Sequence, residues 1–331
     1  MITRWRRLLP ALAVLALASA SVAQTLTVYS GRNEAFVGPV VDWFEQETGS
    51  NVQVRYGDTA SLAATILEEG RNTPADIYLG QDAGALGALA GTGMFAQLPD
   101  ELLNLVEPRF RSPDGLWVGI TGRARVLAYS TERVEAGALP ESVFDLSEES
   151  WRGRVGWAPT NGSFQAFVTA MRIVHGEDAT RDWLESLLRN GVQEYPNNSS
   201  MVEAVARGEI DLALTNHYYL FRFLAERGED FPVGNHYLAD ADIGSLINVA
   251  GAGILATSDN ADAAAVFLSF LLSERAQGHF TESVFEYPLA QGVAANPRLL
   301  DLGAIETPEL DLSRLEGLQE TLELLMDVGA L

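Results

Sequence analysis

Two adjacent tyrosines, Tyr218 and Tyr219, follow an apolar run at residues 210–214 and the polar triplet TNH at residues 215–217. A phenol is a weak acid with a pKa near ~10. A hard trivalent cation displaces its proton and gains a strong oxygen ligand. Neighbours do not share a face of a regular helix or strand, so both phenols are predicted to reach one ion only from an irregular turn. The alternative is that the two tyrosines begin a helix and serve as packing.

Polar segments occur at the ends of six predicted strands. Each could be an ordinary cap or turn, but strand ends line a single cleft in a two-lobed sheet protein. The segment APTNGSF (158–164) precedes a helix whose first backbone N–H groups suit an anion. The others are YSGRNEA (29–35), YGDTASL (56–62), LGQDAGAL (79–86), YPNNSSM (195–201) and the tyrosine segment (210–223).

Alternating strand-like and helix-like segments predict an α/β protein of two lobes, each with a mostly parallel sheet. One helix is predicted to be capped by Ser61. Segments 115–130 and 245–256 are predicted to cross between the lobes as a hinge, with the ligand cleft between the lobes. The predicted lobes comprise residues 24–122 with 249–300, and residues 123–248 with 301–331.

The N-terminal segment predicts a secretory signal peptide over residues 1–23. Three arginines precede an apolar run that is too short to span a bilayer, and SVA before Gln24 fits a cleavage site. The alternative is a short membrane anchor. We therefore expect a mature protein that is periplasmic or otherwise extracytoplasmic.

Composition excludes several functions. The net charge is −23, which disfavours nucleic acid as a partner. There is no nucleophile elbow, zinc-protease motif or Walker loop, and the four histidines are scattered. We expect a binding protein rather than an enzyme.

The chain from about residue 25 onward resembles the bacterial periplasmic ferric-ion-binding proteins, the soluble receptors of iron ABC importers. The resemblance rests on the order and spacing of several segments, none of which is sufficient alone. These segments are VYSGRNEA, EEGRNTPADIYLGQDAGAL, TGRARVLAYST, GWAPTNGSF, NNSSMVEAVARGEIDLALTNHYYL and FEYPL. The resemblance implies the type II periplasmic-binding-protein fold.

The resemblance also implies a set of site residues. Tyr218 and Tyr219 would be the iron ligands, and a synergistic anion, carbonate or phosphate, would complete the coordination. Arg123 matches a cleft arginine whose fork suits an oxyanion. The residues implied to hold the anion are Asn161, Gly162, Ser163, Asn198 and Asn216.

Two positions depart from the family pattern. Many members carry a His where this chain has Asn33, next to Glu34, and members with that His often carry a Glu where this chain has Gln81. Amides are poor ligands for a hard trivalent ion, so Asn33 and Gln81 are not expected to complete the shell. We expect the anion, a second anion, water or Tyr56 to fill it, and Glu34 could also reach the site.

The resulting expectation is a monomeric receptor that closes on Fe3+ and an anion, then delivers the iron to the permease and ATPase of an ABC importer. The alternative is the same fold binding a metal-free oxyanion or small organic solute, such as sulfate, a phosphonate, thiamine or a polyamine.

Overall fold

Ten strands and eleven α-helices occur in residues 25–331, which are the part of the chain that the computed structural model describes. The predicted signal peptide of residues 1–23 lies outside the described residues. The strands are β1 Thr25–Ser30, β2 Asn51–Tyr56, β3 Ile77–Gly80, β4 Val118–Ser130, β5 Val155–Trp157, β6 Gln193–Glu194, β7 Leu212–Asn216, β8 Val233–His236, β9 Ile247–Ile254 and β10 Tyr287–Pro288. The helices are α1 Glu34–Thr48, α2 Thr59–Glu69, α3 Ala83–Gly91, α4 Asp100–Leu103, α5 Gly162–His175, α6 Glu177–Arg189, α7 Asn198–Arg207, α8 Tyr218–Arg227, α9 Ala261–Leu271, α10 Glu274–His279 and α11 Leu318–Asp327.

The strands run in the order β2-β1-β3-β9-β4-β7-β5-β6, and β4 also pairs with β8 and β10. Through its first half β4 is antiparallel to β9, with Gly122 opposite Val249. Through its second half it is antiparallel to β7, with Arg125 opposite Asn216. One long strand therefore belongs to the sheets of both lobes. The predicted two-lobed α/β fold is confirmed. The prediction of mostly parallel sheets is wrong, because β4 is antiparallel to β7, β8, β9 and β10, and β3 is antiparallel to β9.

Caps at the strand-to-helix junctions determine where the helices begin. Asn33 caps α1, because its Oδ1 accepts a hydrogen bond from the Ala35 N–H at 2.9 Å. The prediction that Ser61 caps the next helix is wrong. Asp58 caps α2, and its Oδ1 accepts from the Ser61 N–H at 2.9 Å and the Ser61 hydroxyl at 3.0 Å. The carboxylate captures the orphan N–H of the first turn, so α2 begins at Thr59.

Each lobe has its own aromatic contacts in the core. In the first lobe Phe44 and Phe267 lie edge to face, with ring centroids 4.9 Å apart. In the second, Phe167 and Trp183 pack with centroids 5.8 Å apart. The C-terminal helix α11 packs on α5, with Leu324 and Leu325 buried. Within residues 25–331 we find no helix long and apolar enough to cross a bilayer.

A buried ion pair ties the end of β1 to β10. Arg32 Nη2 lies 2.7 Å from Glu286 Oε2, and the two side chains are only 4% and 2% exposed. The Thr121 hydroxyl on β4 donates to the same carboxylate oxygen at 2.5 Å. Burial alone would raise the pKa of Glu286, but the guanidiniums of Arg32 and Arg123 hold that pKa below its usual value. The ion pair therefore links residues that are 254 positions apart in the sequence.

Replacing Glu286 by Gln should lower the free energy of unfolding by about 3–5 kcal/mol at pH 7, because it leaves a buried guanidinium without a counter-charge. The folded-state pKa is depressed, so this stability is present above the unfolded pKa and is lost as the pH falls through the folded value. The difference between the proteins should therefore shrink in acid. Urea unfolding measures both effects.

The matched control is Glu149→Gln, which breaks an exposed pair to Arg152. It should cost less than about 1 kcal/mol. Equal losses from the two substitutions would contradict a structural role for the buried pair.

Candidate ligand site between the lobes

A cavity of about 240 Å³ lies between the lobes at the carboxyl ends of the strands. Its wall includes both tyrosines and residues from four of the polar segments singled out in the sequence. The lining residues are Gly31, Asp58, Thr59, Gln81, Asp82, Arg123, Asn161, Gly162, Ser163, Tyr218 and Tyr219.

The tyrosine pair stands where β7 passes directly into α8. The predicted irregular turn is absent at this junction. β7 ends at Asn216, His217 already has helical backbone angles, and Tyr218 begins α8. Cα–Cβ bonds in a helix tilt toward its N-terminus, so neighbours in the first turn can both project past the helix end. The two rings lie with centroids 4.4 Å apart and planes 31° apart. The alternative prediction, that the tyrosines begin a helix, is therefore correct for the backbone, and this helix start brings both residues to the cavity wall.

The two tyrosines differ in their exposure to water. Tyr218 is 4% exposed and Tyr219 is half-buried. Burial is the main cause that raises the pKa of Tyr219 above its usual value, and the adjacent Tyr218 adds to the rise. The Asn198 amide and the Arg222 guanidinium act in the opposite direction. A metal ion bound here would have to displace the Tyr219 proton, so its affinity should increase with pH.

The segment before α5 forms a polar seat beside the tyrosines. Asn161 caps the helix, and its Oδ1 accepts from the Ser163 N–H at 3.0 Å and the Ser163 hydroxyl at 2.6 Å. The amide of Asn198 donates to Asn161 Oδ1 at 3.3 Å and to Ser163 Oγ at 3.4 Å. Asn198 lies behind the cavity wall, and its buried Oδ1 makes no hydrogen bond to the described residues. Polar groups held in this way at a helix N-terminus suit an oxyanion.

Arg125 is a residue of this site that the sequence reasoning missed. Its Nη1 lies 3.5 Å from both Ser163 Oγ and Asn216 Oδ1, and its Cζ is 5.0 Å from the Phe167 ring. The side chain is 3% exposed, and Nη2 finds no hydrogen-bond partner among the described residues. Burial lowers the pKa of the guanidinium to about 10, which still leaves it charged at neutral pH. A charged donor behind the anion seat is thus available. The sequence contained a signal for this residue, because Arg125 comes two residues after Arg123 and alternate residues of a strand lie on the same face.

Arg123 faces the first lobe. Its Nη2 donates to the backbone carbonyl of Gln81. Burial raises the pKa of Asp82, and the charge of Arg123 opposes that rise, so the two charges lie close together. Arg123 lines the cavity, while the neighbouring Arg125 contacts the seat at α5.

The wall from the first lobe contains carboxylates that the sequence reasoning did not select. Asp58 and Asp82 cap α2 and α3 through one oxygen each, Oδ1 in both cases. The Thr59 hydroxyl accepts from the Gln81 N–H at 3.2 Å. A Cβ on Gly31 would meet the Thr59 hydroxyl oxygen at 2.1 Å, so only glycine fits between these strand ends. The helix caps place the two carboxylates opposite the phenols.

Three predicted residues line a neighbouring cavity of about 430 Å³, namely Asn33, Glu34 and Tyr56. This cavity shares Gly31 and Gln81 with the first one. Burial, and then the charges of Glu34 and Asp42, raise the pKa of the Tyr56 phenol. Whether these residues contact a ligand stays a prediction.

Outside this region, larger cavities lie near Trp151 and beneath residues 307–312, and neither shares a lining residue with the cavity at the tyrosines. Within residues 25–331 no group of three or more His, Cys, Asp or Glu side chains could hold a metal ion. A metal in the cleft would therefore depend on the tyrosines. Fold and site together define a two-lobed ligand-binding protein.

The chain belongs to the bacterial extracellular solute-binding proteins, whose family model matches residues 72–311. It is 32% identical over 315 residues to the Fe(3+)-binding periplasmic protein of Serratia marcescens, covering 95% of this chain and 93% of the relative. Iron-bound HitA from Pseudomonas aeruginosa superposes with a TM-score of 0.86 at 38% identity, over 92% of this chain and 99% of HitA. The Trichodesmium protein IdiA (FutA), in complex with iron and citrate ligands, superposes with a TM-score of 0.82 at 28% identity, over 92% of this chain and 99% of its own.

Metal-free protein should bind inorganic phosphate through the seat at α5, and Arg125→Met should weaken this binding at least ~10-fold, because a charge-assisted donor is lost. Arg125→Lys should retain part of the affinity. Calorimetry at low ionic strength measures the effect. Arg154→Met, which removes an arginine stacked 4.8 Å from Trp151 in the second lobe, is the control. Phosphate affinity that is the same in Arg125→Met and wild type would rule out this role of Arg125.

Proposed function

We propose that this protein is an extracytoplasmic receptor that captures Fe3+ together with a synergistic anion and delivers the iron to the permease and ATPase of an ABC importer. The observation that carries the proposal is the meeting of two adjacent phenols, one buried and one half-buried, and an oxyanion seat on one small cavity. The ferric-ion-binding relatives support the choice of cargo. The protein acts as a monomeric binding protein and carries out no chemical conversion.

Charge balance favours a hard trivalent cation at the tyrosines. Two phenolates and an oxyanion offset a 3+ charge, and each supplies oxygen ligands, which such an ion prefers. If the ligand contained no metal, the two phenols would be neutral hydrogen-bond donors to it. Such a ligand would not require two adjacent tyrosines in the first turn of α8. The buried Arg125 then balances the anion on the side away from the metal.

Carbonate or phosphate is the anion we propose, held by Asn161, Gly162 and Ser163. Asn198 and Asn216 hold this seat from behind, the first through Asn161 and Ser163 and the second through Arg125. The seat is suited to a small tetrahedral or planar oxyanion, because its donors come from one helix start. A larger carboxylate would extend toward the neighbouring cavity at Tyr56.

The ligand from the first lobe is proposed to be Asp58. Asp58 lines the cavity with the tyrosines, whereas Tyr56 lines the adjacent one. One oxygen of Asp58 caps α2, which leaves the other oxygen for a metal ion. Asp82 is less suited, because partial burial raises the pKa of its carboxyl and it already neighbours the charge of Arg123. A carboxylate from this lobe would supply the oxygen that the amides of Asn33 and Gln81 supply poorly.

Adding ferric citrate and bicarbonate to the pure metal-free protein should produce a visible tyrosinate-to-iron charge-transfer band. Tyr218→Phe and Tyr219→Phe should each weaken iron binding by at least ~100-fold, because a phenolate ligand is lost, and the double variant should lose the band. The band should also fade as the pH is lowered, since protons compete for the phenolates.

Tyr195→Phe is the matched control, because Tyr195 is a tyrosine of the same lobe that is absent from the cavity wall and should change nothing. A wild-type protein with no band, or a full band in the double variant, would overturn the iron proposal. Calorimetry of the metal-stripped protein with sulfate, a phosphonate, thiamine or a polyamine then tests the metal-free alternative.

Asp58→Asn should lower the iron affinity ~10-fold or more while the fold remains intact, because Asn also caps helices well. Tyr56→Phe and Glu34→Gln should have smaller effects on the same affinity, measured by competition with citrate. A larger loss in Tyr56→Phe than in Asp58→Asn would reassign the ligand of the first lobe to Tyr56.

A further inference from the structure

Arg222 stacks on both tyrosines from within their own helix. Its Cζ lies 4.9 Å from the centroid of the Tyr218 ring and 5.5 Å from that of Tyr219. The spacing explains the geometry, because Arg222 is four residues after one tyrosine and three after the other, on one face of α8. None of the salt bridges formed within residues 25–331 involves Arg222, in contrast to Arg227 further along α8, which lies 2.9 Å from Glu203.

The positive charge of Arg222 is thus free to act on the two rings. A guanidinium over an aromatic face is attracted by the ring, and more strongly when the ring carries a negative charge. Phenolates are the form that binds a metal ion. Arg222 therefore places positive charge against both rings from outside the cavity wall.

A residue of the opposite lobe covers the same guanidinium. The ring of Phe36, near the start of α1, lies 5.0 Å from Arg222 Cζ, and the Arg32 guanidinium lies 5.7 Å from that ring. Arg222 belongs to the second lobe, so the contact with Phe36 crosses the cleft. If the lobes move apart, Phe36 leaves the guanidinium and water replaces it. Water around a charge weakens its interaction with nearby groups.

We infer that Arg222 is a positioning residue that links the hold on the metal to lobe closure, with Phe36 as its cover in the closed form. In the closed protein Arg222 holds both rings in place and, shielded by Phe36, stabilises their negative charge. When the lobes open, Phe36 no longer covers Arg222, so the guanidinium stabilises the tyrosines less and release of the metal ion is favoured. The inference rests on the proposed function, since it assumes that the tyrosines bind the metal.

The experiment compares Arg222→Gln with the matched control Arg227→Gln. Arg227 also stacks on an aromatic residue four positions earlier, with Cζ 4.9 Å from the Phe223 ring, but its aromatic partners are Phe223 and Phe231 rather than the tyrosines. The probe is Fe3+ with bicarbonate. Arg222→Gln should lower the iron affinity about 10-fold or more and shift the maximum of the charge-transfer band. Arg222→Lys, which keeps the charge, should restore most of the band position. Arg227→Gln should have the same iron affinity and the same band maximum as the wild type.

Phe36→Ala tests the link to closure. It should shift the band maximum in the same direction as Arg222→Gln but by less, because water then reaches the guanidinium, and it should speed iron transfer to a chelator several-fold. Release at the wild-type rate in Phe36→Ala would refute the link, and an Arg222→Gln protein that binds iron like Arg227→Gln would refute the role of Arg222. Wild-type protein without a charge-transfer band would instead refute the proposed function, so the two failures are distinguishable.

Discussion

The pairing of one strand, β4, with both sheets is the constraint on which the site depends. Its first half is held by β9 and its second half by β7, so the positions of Arg123 and Arg125 are set by opposite lobes. These arginines lie two residues apart on one face of the strand, yet one contacts the backbone at Gln81 and the other contacts the seat at α5. A shift of register by one residue would turn both away from the cleft. The backbone pairing of β4 therefore determines where positive charge enters the cavity.

The two lobes contribute to the cavity in different ways. The second lobe supplies the phenols and the seat from a closely packed region, in which the amide of Asn198 and the guanidinium of Arg125 are almost fully buried. The first lobe supplies helix caps and strand ends, held together by the contact of Gly31 with Thr59 and by the pair of Arg32 with Glu286. This arrangement suits a protein whose lobes move relative to each other, because each lobe keeps its own part of the site intact when the cleft opens.

Much of the fold and part of the site could be predicted from the sequence. Alternation of apolar residues and the polar strand ends predicted the two-lobed α/β fold and the long strand β4 that belongs to both sheets, because these follow from local periodicity and the order of the segments. The sequence predicted an irregular turn at Tyr218, because side chains of adjacent residues normally point to different faces of a helix. In the structure both tyrosines reach the cavity because side chains in the first turn of a helix tilt toward its N-terminus, and this tilt cannot be inferred from the residue pattern. Arg125 and Asp58 escaped notice for a different reason. The neighbouring sequence does not distinguish an arginine or a capping aspartate at a ligand site from the many arginines and aspartates that have only a structural role. Only the tertiary pairing of β4 and the meeting of β1, α2 and β3 brings them to the cavity.

The capping role of Asp58 has a consequence for how the cleft could diversify. A cap position accepts several small polar residues at little cost in folding free energy. The charge and the donor atom that the first lobe presents can therefore change by a single substitution, while the densely packed second lobe remains as it is. If Asp58 contacts the ligand as proposed, a change in which ion or anion is bound requires only a substitution at the rim of the first lobe and costs little stability of the fold.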